Sequence, residues 1–333
     1  MKKITLAYIA TQLKVSRTLV SMVLNGKGDE NHINRKTQER VLAFARLHNY
    51  KPNGMARGLR TGRTNTIGLV IPDISNAFYS KIAFFVEGFA SKSNYHVLYC
   101  CSYEDKEQEQ RQIQLLREKQ VDGLIVASMG GNEALFASLQ EEGFPLVLID
   151  RFPEEVEVDV VGVNNRDGAF RLIKHAMDEG ANVIGVLSTG QNLREIQERI
   201  YGYRQALERK KISYTDELVR EVDLNAPDWA QELENTVMEL FEQGVDTLFA
   251  VNNVLALAVV MILKKHPQKG IGRNLLCFDD NMVFDLVGDP RVISMKQPIE
   301  KMSQRAVDLL VNRMEKGGQK VCRIVLDVDM VVR

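Results

Sequence analysis

At 333 residues the chain is too long for one ordinary core and implies two or three domains. With 45% apolar and 26% charged residues it falls outside the disordered and membrane classes. No apolar run reaches the roughly 18–20 residues that cross a bilayer. The net charge of −1 conceals a division: residues 1–64 hold 13 Lys and Arg against Asp29, Glu30 and Glu39, a net of +10, and the remainder carries −11. A basic segment on an acidic body suits a nucleic-acid-binding head on a regulatory body; the bland alternative is a solvated basic tail. Gln12 and Lys14 interrupt any apolar core at the start of the chain, so a secretory leader is not expected. Cys100, Cys101, Cys277 and Cys322 lack metal-ligand spacing and suit a reducing cytosol.

The basic segment reads as three helices. Thr5 caps the first, whose apolar positions Leu6, Ile9, Ala10 and Leu13 recur at helical spacing. After the turn Leu13-Lys14-Val15, Ser16 caps a second helix with Val20, Val23 and Leu24 inward, and Asn25-Gly26 ends it. Asn34 caps a third, with Val41, Leu42 and Ala45 on one face. Two helices joined by so short a turn form a helix-turn-helix, which lays its second helix in the major groove of DNA. Arg17, Thr18, Ser21, Met22 and Asn25 point away from the core on that helix, and an arginine with short hydroxyls near a helix N-terminus suits phosphates and base edges.

From Thr66 onward, strands alternate with helices. Ile67–Ile71, His96–Cys101, Gly123–Ala127 and Leu146–Ile149 form one run; Val160–Val163 restarts the cycle, followed by Val183–Leu187, Leu218–Val222, Thr247–Val251 and Leu275–Phe278. That alternation predicts two doubly wound α/β lobes with parallel sheets and a cleft between their strand ends. The strand-end positions place Asp73, Ser75, Phe78, Tyr79, Asp150, Arg151, Asn252 and Asp279 at that cleft. Carboxylates, an amide and an arginine there suit sugar hydroxyls, and aromatics stack on a sugar face. The competing role for Asp150 and Arg151 is to hold loops, for Asn252 and Asp279 to bridge the lobes, and for Phe78 and Tyr79 to pack at a dimer interface. His32, His48, His96, His175 and His266 are scattered, so neither a metal site nor a catalytic triad is expected, and no glycine-rich phosphate loop follows a strand. A sugar-binding transport protein shares the two-lobed plan but would carry a leader and no basic head.

The stretches Thr5-Leu6-Ala7-Tyr8-Ile9-Ala10, Val15-Ser16-Arg17-Thr18-Leu19-Val20-Ser21-Met22-Val23-Leu24-Asn25-Gly26 and Asn49-Tyr50-Lys51-Pro52-Asn53-Gly54-Met55-Ala56-Arg57-Gly58-Leu59-Arg60-Thr61-Gly62-Arg63-Thr64 resemble the lac-repressor (LacI/GalR) family of bacterial transcription regulators, over essentially the whole chain. The resemblance implies a helix-turn-helix domain over residues 1–51, a hinge over 52–64 and an effector-binding, dimerising body over 65–333. It implies a body resembling periplasmic binding proteins, with lobe 1 at about 65–161 and 296–321 and lobe 2 at about 162–294 and 323–333. Asn53, Ala56, Arg57 and Leu59 would belong to a hinge helix on the DNA, with Leu59 wedged in the minor groove, the alternative being a core contact with the body. Arg199, in Arg199-Ile200-Tyr201-Gly202-Tyr203, matches the family's effector arginine, with bridging of the lobes as its competing role.

Some residues depart from the family pattern. Lys14 stands where Gly is usual, Leu19 replaces Thr, Asn164 and Asn253 replace Asp, and Met22 replaces a base-reading arginine, which leaves Arg17 as the leading base reader. Leu224 replaces a stacking aromatic, which disfavours a flat purine; Trp229 could replace it or cap the core. The expected partners are a palindromic operator DNA, a second copy in a homodimer and a sugar or sugar derivative. Two cleft arginines permit an acidic or phosphorylated sugar, and no cofactor is expected.

Overall fold

The computed structural model describes residues 4–50, 63–154, 156–190, 193–270, 273–317 and 320–333. The chain divides into a head, Met1–Thr64, and a body, Asn65–Arg333. Within the head, helices α1 (Leu6–Leu13), α2 (Arg17–Leu24) and α3 (Arg35–Leu47) close on Ile9, Ala10, Val20, Val23 and Val41. The three expected caps are made: Thr5 Oγ1 accepts from Tyr8 N, Ser16 Oγ from Leu19 N, and Asn34 Oδ1 from Lys36 N. Lys14 sits in the left-handed region at φ 53°, the conformation for which glycine is the cheaper residue. The loop after α2 is stitched to α3 by Gln38, whose Nε2 donates to Asp29 Oδ1 and Ile33 O.

In the body, lobe 1 is built from β1 (Thr66–Ile71), α4 (Ala77–Lys92), β2 (His96–Cys101), α5 (Lys106–Glu118), β3 (Gly123–Val126), α6 (Glu133–Glu141), β4 (Leu146–Ile149) and β5 (Asp159–Val163). Lobe 2 follows with α7 (Asn165–Asp178), β6 (Ile184–Thr189), α8 (Arg194–Arg209), β7 (Val219–Val222), α9 (Trp229–Glu242), β8 (Thr247–Ala250), α10 (Asn253–Lys265), α11 (Pro267–Gly270), β9 (Asn274–Phe278) and β10 (Arg291–Lys296). The chain then returns through α12 (Ile299–Lys316), β11 (Arg323–Leu326) and β12 (Asp329–Val332). The first sheet has the order β11-β5-β4-β3-β1-β2 and the second β12-β10-β9-β8-β6-β7. Pairing is parallel throughout except at one edge, where β12 runs antiparallel to β10. The central strands are buried on both faces, hence their uninterrupted apolar runs.

All three expected lobe crossings move; the second follows Lys296, the last residue of β10 in the second sheet, rather than residue 294. All of β5, through Val163, belongs to the first sheet, so the first crossing follows residue 163 rather than 161. Strand β11 pairs with β5, which places the third crossing at Asp327-Val328 rather than near Cys322. The cause lies at Asp159: Arg313 grips its carboxylate through Nε (2.6 Å) and a second guanidinium nitrogen (2.8 Å), and Cys322 N donates to it at 2.7 Å. These bonds anchor the returning chain to lobe 1 before it can cross.

The closest packing in lobe 2 is between α7 and α8. A Cβ at Gly202 would clash with Arg166 O and come within 2.8 Å of Phe170 N, so only glycine lets the helix backbones meet. Gly202 lies one turn beyond Arg199, so this contact sets where the arginine emerges. Gly202→Ala should destabilise the body by about 1–3 kcal/mol through overpacking. Urea unfolding of the variant checks this, and an unchanged midpoint would show that the helices can separate freely.

Candidate functional site

On the head, Arg17 and Thr18 are exposed and Ser21 and Met22 half-buried on α2, and Asn25, its C-cap, is exposed. Thr5 and Ser16 are exposed but spend a hydroxyl lone pair on capping, which leaves their remaining donor and acceptor capacity for a phosphate. Asn25 folds back, donating from Nδ2 to Ser21 O at 2.6 Å, so it reaches outward less than its position suggests. Asn53, Ala56, Arg57 and Leu59 lie outside the described residues.

In the body the strand ends meet in a narrow cleft lined from both lobes. Lobe 1 supplies Asn76, Phe78, Tyr79, Glu104, Asp150 and Arg151; lobe 2 supplies Thr189, Glu195, Ile196, Arg199, Leu224, Asn252, Asn253, Val254 and Asp279; Gln297 sits on the crossing segment. Six of the eight residues expected from strand ends, together with Arg199, therefore come together. Asp73 and Ser75 do not line it: Asp73 Oδ1 accepts from Ser75 N and Oδ2 from Ser75 Oγ, a local turn ahead of α4. Phe78 and Tyr79 are buried inside the body, so packing at a subunit interface is not their role. Trp229 packs partly buried against the core and Leu224 reaches the cleft alone.

The charged groups interlock. Arg151 holds Glu104 with two hydrogen bonds, at 2.6 and 3.2 Å, within lobe 1. Across the cleft its Nε lies 3.1 Å from Glu195 Oε1, close enough for charge attraction but out of line for a hydrogen bond, and both atoms remain without one. Asn253 Nδ2 donates to Asn76 Oδ1 at 2.9 Å, a hydrogen bond between the lobes. Within lobe 2, Arg199 donates to Asn165 Oδ1 at 2.8 Å and Val251 O at 2.7 Å, stacks its guanidinium 3.9 Å from the Phe278 ring centre, and stands 4.0 Å from Asp279. Gln297 Nε2 donates to the Asp279 carboxylate at 2.5 Å, and Tyr79 donates its phenolic proton to Asp150 at 3.0 Å. Asn252 caps α10, its Oδ1 accepting from Leu255 N.

Asp150 and Asp279 each adopt left-handed backbone, φ 64° and 80°, at the ends of β4 and β9. Such strain in a residue with a side chain costs on the order of 1–3 kcal/mol and gathers at functional sites. Burial first, and the charge of Glu195 second, push the Asp150 carboxyl up to about 7. Burial likewise raises the Glu195 carboxyl and the Tyr79 hydroxyl. Besides Arg151 Nε and Glu195 Oε1, the cleft atoms Asp150 Oδ1, Thr189 Oγ1 and Gln297 Oε1 are buried without a hydrogen-bond partner. Buried polar groups are normally paired, and leaving one unpaired costs roughly 1–3 kcal/mol. A cleft so lined keeps both donor and acceptor atoms available to a polar ligand. The enclosed space is about 60 Å³, whereas drug-sized ligands occupy pockets of roughly 300–1,000 Å³, so entry of a sugar requires the lobes to part.

Glu104, Glu195, Gln297, Asn76 and Thr189 were not anticipated. Glu104 and Thr189 obey the same strand-end rule as Asp150, after β2 and at the end of β6. Gln297 follows β10, a strand whose run Val292-Ile293 is too short to stand out. Glu195 opens α8 and carries no signal of its own.

A basic helix-turn-helix head on a two-lobed α/β body with a polar interlobe cleft defines a ligand-responsive DNA-binding regulator. Residues 5–53 match the family described as "Bacterial regulatory proteins, lacI family", and residues 64–322 the "Periplasmic binding proteins and sugar binding domain of LacI family". The chain is 31% identical over 318 residues to the catabolite repressor/activator of Escherichia coli K12, covering 92% of this chain and 91% of that protein. It is 29% identical to the sucrose operon repressor of Klebsiella pneumoniae, covering 100% of this chain and 98% of that protein. Among solved structures it is similar to the lac repressor dimer bound to operator and an anti-inducer, with a TM-score of 0.84 and 21% identity, covering 100% of this chain and 98% of that one. The chain belongs to the lacI family of bacterial regulatory proteins.

The Asp150 carboxyl is raised from 3.8 to about 7, so between those values the folded state holds a proton that the unfolded chain releases. Its contribution to stability is fully present below about pH 4 and is lost as pH rises towards 7. Asp150→Asn should therefore melt with a weaker decline in Tm across pH 5–8 than the wild type. Parallel slopes for the two proteins would show that Asp150 ionises as an ordinary surface carboxylate.

Proposed function

We propose that the protein is a cytoplasmic transcription repressor whose grip on a palindromic operator is set by a sugar or sugar derivative bound between the lobes. The observation that carries this reading is the buried polar cleft, in which side chains of both lobes and the crossing segment leave hydrogen-bonding atoms unmet. Ligand held by both lobes favours one lobe arrangement over the other by its differential affinity, typically 1–3 kcal/mol of coupling. Closure would be read out through the hinge residues 52–64, which join the head to lobe 1. Arg17, Thr18, Ser21 and Met22 would face base edges and phosphates, and Leu59 would wedge the minor groove. The role is binding rather than catalysis. The four cysteines are all free thiols, in keeping with a reducing cytoplasm. No helix among the described residues is long and apolar enough to cross a membrane.

A homodimer fits the same reading, because a two-fold protein doubles the contacts of one small head on a two-fold site. Large apolar side chains stand exposed on both lobes: Phe84 and Tyr99 on the first, Met261, Met282 and Leu286 on the second.

Selection of bound sequences from a random DNA library by the full-length protein should yield a palindromic site. Affinity for it should fall with salt at a log–log slope of about −0.9 per phosphate neutralised. Arg17→Ala should relax base preference at one half-site position at a cost of roughly 1–3 kcal/mol. A flat salt response on the selected site would refute DNA binding through the head. An unchanged profile for Arg17→Ala would move base reading to other α2 residues.

A further inference from the structure

The cleft contains more negative than positive charge. Four carboxylates line it, Glu104, Asp150, Glu195 and Asp279, against two guanidiniums, Arg151 and Arg199. The charged groups stand at the ends of β2, β4 and β9 and on the inner face of α8, with the phenol of Tyr79 on α4 as the remaining titratable neighbour; the other elements that close on the space contribute only uncharged side chains, Thr189, Leu224, Asn252, Asn253, Val254 and Gln297. The side chains of Asp150, Glu195 and Asp279 are only 5%, 7% and 8% exposed, so water screens little of this imbalance.

Both guanidiniums already face carboxylates, although Arg151 Nε keeps an unmet N–H. Arg151 is occupied by Glu104 and Glu195, and Arg199 by Asn165, Val251 O and Asp279. The unmet atoms, by contrast, are mostly acceptors: one oxygen each of Asp150, Glu195 and Gln297. Two of these belong to carboxylates, on opposite lobes. Among the described residues no group of three or more His, Cys, Asp and Glu could hold a metal ion, so an organic cation is the fitting counter-charge. Resting on the reading of the cleft as an effector site, we propose that its effector is an amino sugar, whose ammonium group sits between Asp150 and Glu195 while its hydroxyls meet Gln297 and Thr189.

An ammonium carries three N–H donors, enough to satisfy both orphaned carboxylate oxygens at once. It also lets both carboxylates stay ionised; with a neutral sugar only Arg151 Nε, 4.0 Å from Asp150 and 3.1 Å from Glu195, offsets their charge. Burial and Glu195 already drive Asp150 to take up a proton near neutrality, which is the same imbalance expressed without a ligand. The ammonium would bridge the lobes by charge, so it favours closure where a hydroxyl at the same position gives only a hydrogen bond.

The test uses full-length protein at pH 7.5 and four forms each of glucose, galactose and mannose: the neutral sugar, the 2-amino sugar, the 6-amino sugar and the 6-phosphate. Thermal shift identifies the responding series and calorimetry gives its affinities. An amino form should bind roughly 10-fold or more tighter than its neutral parent, since hydrogen bonds to charged groups exceed neutral ones by about one tenfold step. The 6-phosphate should bind more weakly than the parent. Glu195→Gln should shrink the ratio of affinities between the amino form and its neutral parent to below about 3-fold, whatever it does to either affinity alone. If a neutral or phosphorylated form binds more tightly than every amino form, the amino-sugar proposal is overturned and the effector reading stands. If none of the twelve compounds binds, the sugar-effector reading falls and the proposal with it. The wild-type comparison decides the matter even where Glu195→Gln fails to fold.

Discussion

The body is organised around a guanidinium that must be kept paired. Arg151 is largely covered just beyond β4, and a buried charge left alone is among the most costly features a fold can hold. Glu104 neutralises it from within its own lobe, through two hydrogen bonds. Glu195 approaches it from the other lobe, without hydrogen-bond geometry. The first contact survives any movement of the lobes, and the second exists only while they are together. One residue thus anchors lobe 1 internally and senses where lobe 2 stands. Parting the lobes exposes Glu195 and Asp150 to water, which relieves their burial but ends the attraction of Glu195 to Arg151. The two arrangements are balanced by opposing electrostatic effects, which a ligand of modest differential affinity can tip.

The rest of the body serves to place these groups. Parallel strands buried on both faces end together at the cleft, so side chains far apart in sequence arrive at one small space. Gly202 lets α8 lie against α7, and that contact sets Arg199 beside Asn165 and under Phe278. Asp150 and Asp279 leave their strands through left-handed backbone, which turns their carboxylates inward at an energetic cost that the surrounding sheet sustains. The Asp159–Arg313 pair holds β11 on lobe 1 and so fixes where the last crossing occurs.

Much of this was legible in the sequence because it rests on local rules. Thr5, Ser16 and Asn34 announce helix starts through a side-chain oxygen that needs no tertiary context. The buried strands announce themselves as apolar runs, and their ends mark the cleft. The rule failed where local geometry intervened: Asp73 and Ser75 follow β1 but close a turn on each other. It also failed where the strand itself was faint. β10 carries only a short apolar run, so Gln297 beyond it went unseen, and the edge strands β11 and β12 are half exposed, which blurred the third crossing. Glu195 was invisible for a different reason. It stands among charged neighbours on an amphipathic helix, and only the fold shows that it faces a buried arginine.

The central claim is that one ligand between the lobes and one DNA site under the head share a single equilibrium. Thermodynamic linkage then requires reciprocity between the two affinities. The direct measurement is the affinity of the effector for the free protein and for the protein bound to its selected operator, beside the affinity of operator with and without saturating effector. The account predicts that both ratios depart from one, by roughly 5–150-fold, and that they are equal. Effector affinity that is the same on and off DNA, with operator affinity indifferent to effector, would contradict it.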